Sequence, residues 1–219
     1  MVFTLVDAIN YNKLGIMKKT VLAMVLAATM VSGCSMIGGS ETVSYEDLRE
    51  QGNVLLLASN EAGYKASDIQ QLEAIRLVVN TAFLTAKPVY ERYTDELMAT
   101  PDLNNYFSAV EAMETEEEKR AVYDALSPEQ KKIVDEFNQS SVGNEIMLGL
   151  KDAALVALKN SAVFLEADTT AMLSDVDFSK LMDEKDAVSL TAEQVIYLDK
   201  TVVSAYENYK IISAFSSAQ

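Results

Sequence analysis

Between Leu72 and Leu97 an apolar residue recurs every three, four or seven positions: Leu72, Val79, Phe83, Ala86, Tyr90, Tyr93 and Leu97. That spacing marks one face of an α-helix. Pro88 falls inside the stripe without shifting its phase. Proline deletes one backbone hydrogen bond and crowds the preceding turn, so the pattern predicts one long helix kinked around Pro88, not two unrelated ones. Ser67 stands where its cap is expected. From 145 to 165 the chain is largely apolar, and only Lys151, Asp152 and Lys159 carry charge inside it. A helix apolar around most of its girth is buried, so 145–165 is expected to be the central helix. Toward the C-terminus, Val195, Leu198, Val202, Ala205, Tyr209 and Ile212 form a seam with steps of three and four. Too few heptads are present to demand a dimer, and the seam is expected to pack inside the fold. The capping box Thr191-Ala192-Glu193-Gln194 predicts the start of that last helix.

Shorter elements fill the intervals. Ser44, with Asp47 three residues on, predicts a helix carrying Tyr45, Leu48 and Leu55. Gly52-Asn53 should break or loosen it, and Asn60-Glu61-Ala62-Gly63 should end it. Thr100-Pro101-Asp102, Thr115 with Glu116 to Glu118, and Ser127-Pro128-Glu129-Gln130 each read as a helix start. The three helices they open are short and tightly joined, so neighbours should be antiparallel or steeply crossed. Residues 139–144 (QSSVGN) read as a loop, and 168–185 as one or two short helices. No strand-type alternation persists, and the N-G and D-G hairpin dipeptides are absent. The expected fold is all-α: one multi-helix bundle over residues 45–219.

Upstream of the bundle the pattern changes. Lys18 and Lys19 precede a short apolar run, Thr20 to Val31, which is followed by the small residues Ser32 and Gly33 and then Cys34. This is the grammar of a secretory signal, and the run is too short to span a bilayer, which takes about 20 residues. Val31-Ser32-Gly33-Cys34 resembles the lipobox of bacterial lipoproteins. The resemblance covers residues 17–34 and is silent on the bundle. It implies cleavage between Gly33 and Cys34, a diacylglycerol on the Cys34 sulfur and acylation of the new amino terminus. Two or more acyl chains hold a protein stably at a membrane, where one gives marginal binding. Ser35, in place of Asp, resembles the outer-membrane class of such proteins, with the domain on the periplasmic face. Residues 1–16, which include Asp7, do not fit an export signal, so Met17 is the expected biological start; a long n-region ahead of the same lipobox is the alternative. Residues 34–44 are small, polar and glycine-containing, which reads as a tether reaching about 34 Å when pulled straight.

Charge narrows the partners. The chain has 18 basic and 33 acidic residues; the leader holds Lys13, Lys18, Lys19 and Asp7, which leaves a net charge of −17 from Cys34 onward. Nucleic acid is an unsuitable partner for such a surface, and so is anionic lipid lying against it. Solubility explains the acidity; a basic protein partner is the functional alternative. There is no histidine, and Cys34 is the only cysteine. The commonest general base, the commonest metal ligand and any thiolate zinc site are thereby missing.

Motifs that carry chemistry are few. Asp175-Val176-Asp177-Phe178-Ser179-Lys180 begins like a calcium loop, but lacks its glycine and carries a lysine, so a solvated acidic turn is the better reading. The acids Glu114 to Glu118 suit the dipole of a helix start. Tyr90 and Tyr93, and Tyr206 and Tyr209, sit three apart on the two long helices. Core or rim packing accounts for them; an aromatic binding groove is the alternative. The sequence therefore predicts no catalytic residues, no metal site and no cofactor, and the chain is not expected to be an enzyme. The expected role is a lipid-anchored, acidic, helical protein-interaction module in the bacterial envelope. An immunity-type inhibitor of a basic envelope-acting protein and a helical carrier of an apolar ligand are the rival roles.

Overall fold

Ten tyrosines and seven phenylalanines in a chain without strand signals require helices that bury rings against one another. The computed structural model describes residues 44–60, 66–174, 176–177 and 179–216. The leader, the lipobox with Gly33 and Cys34, and the tether to residue 43 lie outside the described residues. So do residues 61–65 and 217–219, Asp175 and Phe178. The described residues are helical with no strand. In order they form α1 (Tyr45–Asn60), α2 (Gln70–Ala99), α3 (Pro101–Glu111), α4 (Glu116–Asp124), α5 (Pro128–Gln139), α6 (Ser141–Leu165), α7 (Thr169–Leu173) and α8 (Leu181–Leu198). A π segment (Asp199–Val203) and α9 (Ser204–Ser216) then continue α8 without a break in helical backbone. The all-α bundle expected from the periodicity is what the chain forms.

The predicted long helix is α2, thirty residues with Pro88 inside. Pro88 is exposed, and so is Leu84, whose carbonyl loses its partner to the proline. Water can pair that carbonyl, which is why the helix tolerates the break. The opposite face buries Leu72, Val79, Phe83, Ala86, Tyr90, Tyr93 and Leu97, the stripe read from the sequence. α2 packs most extensively on α6, the expected central helix, which also touches α5, α8, α9 and the π segment. The two run antiparallel: Arg92 bonds Glu145 at 2.9 Å, and Val89 lies over Gly149. α6 is less enclosed than its composition suggests. Ile146, Met147, Leu150, Ala153, Ala154 and Ala157 are buried, but Leu148 and Leu155 are 63% and 53% exposed. α1 is antiparallel to α2 on its other side. Arg49 pairs with Asp95 at one end, and Ser59 meets Asn80 through Gln194 at the other.

The three short helices begin where expected. Thr115 and Ser127 form complete capping boxes with Glu118 and Gln130. Thr100 occupies the cap of α3, with Pro101 at the first helical position, but its hydroxyl makes no capping bond.

Four local expectations are corrected. Gly52-Asn53 does not loosen α1, which runs unbroken to Asn60. Gly52 is there for close approach: a Cβ would lie 2.5 Å from the Tyr197 hydroxyl. Ser67 is not the cap of α2, which starts at Gln70 with Ile69 before it. Instead the Ser67 hydroxyl accepts from the Ile69 amide and donates to Glu184, and its own amide donates to Glu73. Residues 139–144 are not a loop. Ser140 alone separates α5 from α6 and caps α6 through the Gly143 amide at 2.9 Å. Thr191 starts no helix. It is buried inside α8 and its hydroxyl donates back to the Ala187 carbonyl at 2.8 Å, the bond a threonine makes within a helix.

The C-terminal seam holds across the π segment: Val195, Leu198, Val202, Ala205 and Ile212 are buried, before, within and beyond it. Tyr209 is half-buried against the core, and its neighbour Asn208 is buried.

Candidate functional site

Buried polar atoms without partners are rare in folded proteins, and in this bundle several of them gather in one place. Tyr45, Tyr90, Tyr93 and Tyr197 come from α1, α2 and α8 and are each at most 3% exposed. Their rings meet edge-on or tilted: Tyr45 on Tyr93 at 6.3 Å, Tyr90 on Tyr93 at 5.9 Å, Tyr90 on Tyr197 at 6.5 Å. Phe107 and Tyr106 of α3 extend the chain of rings to Tyr123. Such pairs add about 0.5–1.5 kcal/mol each beyond burial. The hydroxyls of Tyr45, Tyr90 and Tyr197 nevertheless find no hydrogen-bond partner.

Glu111, the last residue of α3, faces the same cluster. Its Oε1 is buried and unpartnered. Burial raises its pKa to about 7; Tyr45, Lys119 and Ser204 oppose the rise without cancelling it. The Tyr45 and Ser204 hydroxyls favour the ionised acid, yet no contact reaches Oε1 with hydrogen-bond geometry. Lys119 offsets the rise only in part: its charge lowers the Glu111 pKa, and its ammonium donates to Asn208. Burial lowers the pKa of Lys119, with Glu207 and Glu111 acting against that. The tyrosines are pushed above their ordinary value, first by burial and then by the Glu111 charge. They stay neutral at any physiological pH. An acid that titrates near neutrality beside four enclosed rings acts on the stability of the bundle; the rings are too enclosed to hold a substrate.

A second polar group lies at the other end of α1. The Gln194 amide donates to Ser59 Oγ at 2.7 Å and to Asn80 Oδ1 at 2.8 Å. Arg76, 7% exposed, bonds Glu73 at 3.2 Å. Ser59, Arg76, Asn80 and Gln194, with Leu190 and Thr191, line a pocket of only about 10 Å³. That is smaller than the 300–1,000 Å³ of ordinary ligand sites, and its polar atoms are already engaged in joining α1, α2 and α8. Glu184, 4% exposed, completes this end by accepting from the Ser67 hydroxyl and the Asp68 amide. An open cleft of about 500 Å³ lies along α5, where Lys131, Lys132, Asp135 and Glu136 balance each other's charge. Asp135 there takes the Tyr123 hydroxyl at 3.0 Å.

The residues singled out in the sequence are dispersed. Tyr90 and Tyr93 are core; Tyr206 and Tyr209 are half-buried, with Lys210 over the Tyr206 ring at 5.2 Å. They make no common groove. Asp177 closes a turn through its carbonyl, and Lys180 pairs with Asp68. Glu118 serves the cap of α4, which lowers its pKa. Among the described residues no group of three acidic or cysteine side chains could hold a metal, and no helix is long and apolar enough to cross a membrane. Cys34 and Gly33 lie outside the described residues. Glu111 escaped the sequence reading, although its position four after Phe107 puts it on the apolar face of α3.

Tyr90 and Tyr123 make opposite predictions. Tyr90→Phe removes an unpartnered hydroxyl and should raise the unfolding free energy by about 1 kcal/mol. Tyr123→Phe breaks the bond to Asp135 and should lower it by about 1–2 kcal/mol. Urea denaturation of both variants checks the pair; equal effects would remove the distinction between the two hydroxyls.

No family model matches the chain, and comparison with curated proteins and with solved structures gave no match.

Proposed function

We propose that this chain is a bacterial lipoprotein, lipidated at Cys34, whose acidic helical bundle serves as a protein-interaction module at the periplasmic face of the outer membrane. The observation that carries the proposal is Val31-Ser32-Gly33-Cys34 closing an apolar run that follows Lys18 and Lys19. Three further features support it. Cys34 is the only cysteine and has no disulfide partner within the chain. The helical domain starts at Tyr45, so a lipid on Cys34 would hold the bundle near the bilayer surface. The Gln194 and Glu184 clusters are engaged in joining helices and the tyrosine cluster is enclosed, which favours recognition by surface over turnover of a substrate. The net charge of −17 from Cys34 onward favours a basic partner, steered by the field of the bundle.

Lipidation is tested by Cys34→Ala. Labelled palmitate should enter the natural chain and not the variant, and the variant should appear as soluble or unprocessed protein. Palmitate incorporated equally into the variant would defeat the proposal. Crosslinking in intact cells followed by mass spectrometry tests the partner, with a basic envelope protein as the expected product.

A further inference from the structure

Glu111 closes α3 against the opening residue of α1. It is the last residue of its helix, and Tyr45, the first of α1, bears on its carboxyl group. The other groups that face it are Tyr90 and Tyr93 inside α2, Lys119 of α4 and Ser204 at the start of α9. Asn208 accepts from the Lys119 ammonium, and Glu207 and Glu116 draw on the same charge. Glu111 Oε1 and the Tyr45 hydroxyl are buried without a hydrogen-bond partner. A carboxylate so placed is costly once ionised, and any movement that brings water to it is then favoured. Opening costs least where a helix has an end to fray. α2 passes the site within its length, and α9 runs on from the π segment and α8 without a break. α4 carries Lys119, which an ionised Glu111 attracts. α1 meets the site with its first turn. That turn is held by burial of Tyr45 and Leu48, at 3% and 4% exposure, and by a Ser44 cap whose bond from the Asp47 amide is long at 3.4 Å. The next fixed points, the Arg49–Asp95 pair and Gly52 against Tyr197, lie beyond it.

We infer that the first turn of α1, Tyr45 to Leu48, is a pH-sensitive latch, closed on Glu111 while that acid holds its proton and released when the acid ionises. The sign follows from burial. In the closed bundle Glu111 titrates at about 7, against an ordinary value of 4.5 once water reaches it. Between those values the closed form holds a proton that the open form has lost. Closure is therefore strongest below the ordinary value, weakens as the pH rises toward 7 and levels off above it. The charge of Lys119 favours the ionised acid and sets how high in pH the latch stays shut. Tyr45, Tyr90 and Tyr93 are pushed above their ordinary range and carry no charge in this window. Release uncovers the Tyr93 ring, which Tyr45 meets edge-on at 6.3 Å. It also frees residues 44–48 to extend over roughly 17 Å ahead of the bundle. One proton thus governs both the reach of the N-terminal end and the exposure of an aromatic edge.

The test is amide hydrogen exchange of the full chain between pH 5 and pH 8, with rates divided by the intrinsic rate at each pH. Protection at Leu48, Arg49 and Glu50 should fall by at least about tenfold across that range, and by no more than about twofold in Glu111→Gln. At pH 8 these amides should exchange faster than those of Ala153 and Ala154 in α6, which shows opening short of unfolding. Lys119→Gln, which removes a cation favouring the ionised acid, should move the fall to higher pH. Equal protection at α1 and α6 would overturn the inference, because Glu111 would then meet water only on global unfolding. So would a fall confined to the α4 amides around Val122, a fall that persists in Glu111→Gln, or a shift to lower pH in Lys119→Gln.

Discussion

Glu111→Gln should stabilise the bundle by about 2–3 kcal/mol at pH 8 and have almost no effect at pH 4. The direction is opposite to that of an ordinary paired carboxylate. Glu111 titrates at about 7 in the folded chain because burial penalises its charge, against an ordinary value of 4.5. Between those values the folded state binds a proton that the unfolded state has released, so stability falls as the pH rises through the window and levels off above it. The groups facing Glu111 set the limits. Tyr45, Tyr90 and Tyr93 stay neutral, and the charge of Lys119, which Glu207 also attracts, lowers the Glu111 pKa without cancelling the rise that burial causes. The penalty therefore persists. Gln cannot ionise, and the variant should lack this slope. For a domain of this size the gain at pH 8 corresponds to roughly 5–10 °C in Tm. Melting both proteins at half-unit steps from pH 4 to 8 checks it. Curves that stay parallel would show that Glu111 does not titrate in the folded chain.

The cluster around Glu111 and the architecture around it differed in how readable they were. α2 was legible because its core face repeats over thirty residues, long enough to outweigh one proline. The starts at Thr115 and Ser127 were legible because a capping box is local chemistry. Thr191 carries the same signature and starts nothing. Its flanking residues are equally helical, and tertiary packing put its hydroxyl on the Ala187 carbonyl. Gly52 and Gly143 misled for a common reason. Glycine reads as a breaker in one dimension, but in a packed bundle it also marks where another group must come close. The π segment cannot be seen in a periodicity of three and four, yet the seam read from that periodicity survives it at Val202, Ala205 and Ile212; Asn208 is the buried residue it did not foresee. Glu111 was hidden by its charge. An acid at a helix end is usually solvated, and only the arrival of α1, α2 and α9 makes this one buried.

Gly143→Ala should cost at least about 3 kcal/mol, even though alanine is the better helix former by about 1 kcal/mol. The cause is the junction of α5 and α6. Ser140 alone turns the chain, its amide and hydroxyl both donating to the Phe137 carbonyl at 3.1 and 2.8 Å. The same hydroxyl accepts from the Gly143 amide at 2.9 Å. This folds the first turn of α6 onto the last turn of α5, and a Cβ on residue 143 would lie 2.1 Å from the Phe137 carbonyl oxygen. That oxygen is backbone and cannot rotate aside. Either the Ser140 cap breaks or α5 shifts, carrying Phe137 off the Phe107 ring it meets at 6.0 Å. Gly149 provides the comparison within the same helix. Its added Cβ would meet only a Val89 methyl at 3.3 Å, a side-chain contact that can yield by a few tenths of an ångström. Gly149→Ala should therefore be close to neutral, with the propensity gain offsetting the tighter contact. Chemical denaturation of the two variants separates clash from propensity: if they lose the same stability, or if Gly143→Ala stays within about 0.5 kcal/mol of the natural chain, the close approach at the α5–α6 junction does not govern this corner of the bundle.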